Sequence, residues 1–103
     1  MSAYLQAPAH IAAEAAGLTP ADFEGVDGVL LGAWLMDRDS VSLGRTVQIG
    51  WGYIYGDRKG RFEDGSYIHT SYFTAEPVDG VYKTLNSTYR LRLRPETADD
   101  ADA

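Results

Sequence analysis

Cysteine is absent from this 103-residue chain. Its absence excludes a disulfide scaffold, a Cys-ligated zinc or iron–sulfur site and a thiol nucleophile. Histidine is nearly absent too: with only His10 and His69, one chain cannot assemble a multi-histidine metal site, and we expect neither a metal nor a cofactor. Long hydrophobic runs are missing. The longest, residues 29–36, falls far short of the ~20 apolar residues of a membrane-spanning helix. Residues 1–10 lack the basic start and apolar stretch of a secretion signal, so a soluble cytoplasmic protein is expected. Basic charge is scarce as well. Nine Lys and Arg against fifteen Asp and Glu leave a formal charge of −6, which opposes any function that grips nucleic acid mainly through phosphates.

What is present is ordinary globular material, 45% apolar, 12% aromatic and 23% charged, enough for one domain with a core. We expect a single α+β domain over residues 1–95, with helices at about 8–25, the sheet at about 28–94, and an acidic disordered tail at 96–103. Charge is unevenly spread: residues 1–40 carry −5, residues 41–94 carry +3, and residues 95–103 carry −4. Such acidity keeps a small protein soluble; it also suits docking on a basic groove of a partner.

Residues 8–17 are alanine-rich, with Pro8 and Gly17 as start and stop signals, and predict a short helix with Ile11, Ala15 and Leu18 facing the body. Thr19, Pro20 and Asp22 form a capping-box pattern that restarts a brief helix ending near Glu24. Residues 28–36 are continuously apolar; their length and flanking turn signals favour a central strand over a helix running from Pro20 to Met36. From Thr46 to Gly56 the period is two, with Val47, Ile49, Trp51, Tyr53 and Tyr55 on one side and Gly50, Gly52 and Gly56 on the other. Glycines on one face of a strand call for a bend, a bulge or the close approach of another element, as in a sheet curling toward a barrel. Residues 57–60 suit a three-residue hairpin loop, and Asp64-Gly65 and Asp79-Gly80 carry the type I′ turn signature. Strand-like runs follow at 67–74, 81–85 and 88–94, the last placing Tyr89, Leu91 and Leu93 inward and Arg90, Arg92 and Arg94 outward. The reading is a strongly bent antiparallel sheet of four or five strands approaching a small barrel, with one or two short N-terminal helices.

Catalytic patterns fail one by one. Asp64, Ser66, His69 and Ser71 lie close in sequence, but Ser66 and His69 would face opposite ways and no nucleophile elbow supplies an oxyanion hole. Asp37 and Asp39 resemble the start of a calcium loop, yet Val41 and Ser42 stand where a ligand and a glycine are required. The glycines at 50, 52 and 56 precede no helix and so make no phosphate loop. Tyrosines crowding a sheet beside arginines are the stronger signal. They can pack in the core, contact a protein or stack on bases. The candidate contact residues are Asp37, Asp39, Tyr53, Tyr55, Tyr67, His69, Tyr72 and Tyr82.

The block of residues 52–57, 60–65 and 68–71, followed by Thr84, Asn86, Ser87, Tyr89 and Leu91, resembles the core of small uncharacterised accessory proteins of phages and prophages. The resemblance spans about residues 52–91 and brings no catalytic residues with it. It implies a phage-borne protein of the bacterial cytoplasm, of a kind that includes inhibitors of host defence such as anti-CRISPR proteins. The expectation is therefore a non-enzymatic binding protein, monomer or homodimer, that inhibits a host defence complex by protein contact, its partner a host or viral protein complex, nucleic-acid-handling ones among them. A nucleotide or small-molecule binder, with a slot on the glycine-bare face, is the first alternative. A single-strand binder using Arg90, Arg92 and Arg94 is the second.

Overall fold

Proline and a capping carboxylate set the two short N-terminal elements. In the computed structural model, which describes residues 7–95, helix α1 (Ala9–Ala16) begins after Pro8, whose carbonyl accepts the N–H groups of Ile11 and Ala12. The proline ring fixes φ and lacks the N–H that a helix start would leave unpaired. Eight residues cannot hold a helix in water; Ile11, buried on the sheet, docks it. Thr19 then opens a 3₁₀ turn, Pro20–Phe23, its N–H donating to Asp22 Oδ2 at 2.8 Å.

Five strands follow: β1 (Gly28–Ser40), β2 (Arg45–Tyr55), β3 (Ser66–His69), β4 (Val81–Lys83) and β5 (Thr88–Leu93), in sheet order β3-β2-β1-β5-β4. The apolar run at 28–36 is thus the central strand, and β1 continues four residues beyond it. A helix over these residues is overturned by their pairing with strands on both edges. The sheet is mixed, which corrects the antiparallel expectation: β5 pairs with β1 in parallel. The chain reverses direction four times from β1 to β5, an even number, so a strand added to the open edge of β1 must run alongside it. Parallel pairing has no local turn signal for a sequence to display.

Two glycine features bend the sheet. Gly32, at φ +58°, is the bulge where β1 slips register against both neighbours, a conformation other residues resist. On β2, a Cβ at Gly50 would stand 3.0 Å from Leu91 and Phe73, and one at Gly52 would stand 3.2–3.3 Å from the backbone of Leu31 and Ala33. The glycine-bare face is bare because the core closes down on it. The sheet is not closed into a barrel. Residues 70–74 instead strap its edges, Phe73 N–H donating to Gln48 O and Thr74 N–H to Lys83 O, both at 2.9 Å.

The sheet buries two apolar layers. Leu30, Ile54, Ile68, Phe73, Tyr82, Tyr89 and Leu91 fill one side; Ile11, Val26, Val29 and Leu31, flanked by Tyr53 and Tyr55, fill the other beneath α1. Leu93 corrects its inward assignment, being half exposed at the end of β5. The loop expected at 57–60 is part of a ten-residue connection, residues 56–65. Asp57 organises it: its buried carboxylate accepts the N–H groups of Lys59, Arg61 and Phe62 and the Arg61 guanidinium. Burial pushes that carboxyl up, and the bonds from Arg61 and the backbone outweigh it, holding it below the usual carboxylate range. Asp79-Gly80 makes the expected turn, with both residues at positive φ; at Asp64-Gly65 only the glycine is left-handed, so that turn is not type I′. The acidic tail assigned to 96–103 lies outside the described residues.

Candidate functional site

The candidate contact residues fall into separate places. Tyr53, Tyr67 and His69 share one face with Trp34 and Trp51, because cross-strand partners lie on the same side of a pleated sheet. Trp51 stacks 5.8 Å from Trp34 and 5.6 Å from Tyr67, with His69 at 4.7 Å; Tyr53 tilts against Tyr67 at 4.8 Å. Trp34 Nε1 donates to the Tyr67 hydroxyl at 2.7 Å, and the Arg94 guanidinium lies 5.4 Å from the Trp34 ring. These rings spend their faces on one another, so the ladder offers little open ring surface to a base. Tyr55 is half-buried at its end, where burial and then the Asp64 charge push its hydroxyl above the usual tyrosine range. Tyr82 sits in the core, 4.8 Å from Phe73.

The outward arginines of β5 are engaged as well. Arg92 pairs with Glu14 at 3.4 Å and Asp22 at 3.2 Å, and Arg90 donates to the Asp22 carbonyl at 2.9 Å. The Asp22 carboxyl lies below its ordinary range, chiefly through the Thr19 backbone N–H, with Arg92 adding to it. These two residues tie the N-terminal turns to the sheet. The slot expected on the glycine face is filled by Phe73 and Leu91.

Asp37 and Asp39 occupy a different setting. β5 pairs with β1 only as far as Ala33, and β3 pairs with β2 only from Trp51 onward. Beyond those pairings β1 and β2 continue as a two-stranded arm: Val47 is still buried at its base, where residues 73–77 border Asp37 and Gln48, and residues 41–46 are exposed. The pairs Asp37↔Gln48 and Asp39↔Thr46 make one face acidic, whereas Arg38↔Val47 and Ser40↔Arg45 make the other basic. Thr46 Oγ1 donates to Asp39 at 3.0 Å on the acidic side. At the tip, Gly44 N–H donates to Ser40 O at 2.9 Å and Leu43 N–H to Ser40 Oγ at 3.2 Å. That turn holds Val41 99% exposed and Leu43 41% exposed. Sequence reasoning missed both: the turn signal after the apolar run lay at residues 37–40, which the structure keeps in β1, and the chain turns at 41–44 instead. The signal was there: two branched apolar side chains in a Ser/Gly turn serve no local purpose.

Near the base of the arm lies a cavity of about 420 Å³. Arg38 and Val47 border it from the arm, His69 and Tyr72 from the end of β3, Arg61 from the long loop, and Asn86 from the turn after β4. His69 Nδ1 lies 3.0 Å from the Thr70 carbonyl; a carbonyl only accepts, so Nδ1 carries the hydrogen of that bond. Ser66, from the serine–histidine grouping, is buried on the other face of β3. Among the described residues no cluster of three metal-ligating side chains occurs, and no helix is long and apolar enough to cross a membrane. Comparison with protein-family models, curated proteins and solved structures finds no match to this chain.

Proposed function

We propose that the protein is a non-enzymatic binding module that docks on another protein through its β1–β2 arm, with Asp37, Asp39, Val41 and Leu43 as contact residues. The observation that carries this reading is the tip, where a valine stands 99% exposed on a hydrogen-bonded turn at the end of a ribbon. An apolar side chain in water stabilises nothing in the free protein; buried in a partner's pocket it contributes about 1.5–3 kcal/mol. The ordered turn spares much of the ordering cost of binding. The acidic face behind it adds specificity for a basic surface. The resemblance to phage accessory proteins supports a partner of one kind, a host defence complex whose nucleic-acid channel presents such a surface. Inhibition then follows from occupying that channel. The aromatic ladder and the β5 arginines act as structure in this reading.

The test is quantitative affinity capture from a bacterial lysate with wild type, Val41→Ser/Leu43→Ser and Asp37→Lys/Asp39→Lys. Each double variant should lower recovery of one common partner by about tenfold or more, as loss of interface anchors does. Equal recovery by all three proteins would refute the arm as the docking surface.

A further inference from the structure

We propose that the cavity beside the arm binds a small phosphate monoester. Four separate segments bring hydrogen-bond donors to it: Arg38 from β1, Ser71 and Tyr72 from the strap, Arg61 from the long loop and Asn86 from the turn after β4. Donors converging from several directions match the tetrahedrally spread oxygens of a phosphate better than a planar carboxylate, which one guanidinium fork satisfies. The volume, about 420 Å³, lies in the range of small-molecule sites and exceeds what a bare phosphate fills. Val47, Ile49 and Leu85 supply apolar wall for an organic body.

The charges are arranged for an anion. Arg61 is held by Asp57 at 3.1 Å and by the Tyr89 hydroxyl at 3.0 Å, both through Nη2, with Nε on Asp57 at 3.4 Å. It is positioned before any ligand arrives, its guanidinium 5.5 Å from the Phe62 ring, and its Nη1 has no hydrogen-bond or ion-pair partner among the described residues. Arg38 likewise has no ion pair or hydrogen-bond partner among them, and neither do the Ser71 and Tyr72 hydroxyls or the Asn86 amide. Lys59 secures the wall from behind, its Nζ donating to Ser87 Oγ at 2.9 Å and to the Asn86 carbonyl. Asp39 also borders the cavity, but its carboxylate takes the Thr46 hydroxyl on the opposite face of the arm. The glycine-bare slot is closed, so this site is new in place as well as in chemistry, and it stands apart from protein docking at the arm tip.

The test is a ¹H–¹⁵N NMR titration of the full chain with inorganic phosphate, ribose 5-phosphate, uridine 5′-monophosphate and, as neutral control, uridine. The phosphate esters should give saturable shifts centred on His69, Ser71 and Asn86 by about 10 mM, a range typical of weak specific sites. Arg38→Gln should weaken them about tenfold or more through one lost charge-assisted contact, while Arg92→Gln, whose partners Glu14 and Asp22 belong to the N-terminal turns, should leave them unchanged. Tighter binding of the nucleotide than of the sugar phosphate would assign the organic body to a nucleoside, and the reverse to a bare sugar. No saturation by either ester, equal shifts with uridine, or full binding by Arg38→Gln would overturn the proposal.

Discussion

The body of the molecule and its arm solve opposite problems. In the body, outside the cavity beside the arm, most groups with chemical character are used internally: the aromatic rings stack on one another, Arg92 and Arg90 bind the N-terminal turns, and Asp57 gathers the long loop. In the arm, Asp37, Arg38, Val41 and Leu43 are exposed. A residue's chemistry therefore says little about function until its partners are known. The tyrosines and arginines that look like a binding face are engaged with one another and with the N-terminal turns, and the contact surface we propose lies at the tip of the arm.

The contrast breaks most severely at Gly52. A valine there meets the backbone of Leu31 and Ala33, which cannot move aside, so Gly52→Val should cost about 3 kcal/mol or more by chemical denaturation, the upper range of overpacking. Wild-type stability would mean that the bulge yields. Asp57→Asn comes next, at about 2 kcal/mol, since an amide replaces a charged acceptor of several bonds. Its pH dependence sharpens the point. A carboxyl held low in the folded state contributes stability that is present above the unfolded value and lost as pH falls through the lowered one. The gap between wild type and Asp57→Asn should therefore be full at neutral pH and shrink below about pH 4; a gap independent of pH would remove the charge from the explanation. Arg92→Gln should cost about 0.5 kcal/mol, as exposed ion pairs do, and less in high salt. Smallest of all, Val41→Ser/Leu43→Ser should shift stability by less than about 0.5 kcal/mol, the range of surface changes. A larger loss would show that the tip packs against the body.

Much of this was legible in the sequence, and the reason is locality. The capping box at Thr19 and Asp22, the alternation of β2 and the Asp79-Gly80 turn are each decided by residues within a few positions. The glycines at 50 and 52 announced a close approach without naming the neighbour, since Leu91 and Phe73 come from distant segments. Parallel pairing of β1 with β5 was hidden because nothing near either strand encodes it. Leu93 followed its strand's alternation but ran past the layer that would cover it. The arm was missed for a related reason: that β1 and β2 outrun β5 and β3 depends on the lengths of four strands at once. Arg38 and Asn86, 48 positions apart, share a cavity only because the sheet curls.

The arm's role is tested most directly by placing a photo-reactive phenylalanine analogue at position 41 and, separately, at exposed Ala13 on α1, then irradiating each protein in a bacterial lysate. Position 41 should yield a discrete crosslinked protein band that unlabelled wild type competes away and Val41→Ser/Leu43→Ser does not. Identical products from both positions, or competition by the double variant as strong as by wild type, would contradict docking through the tip.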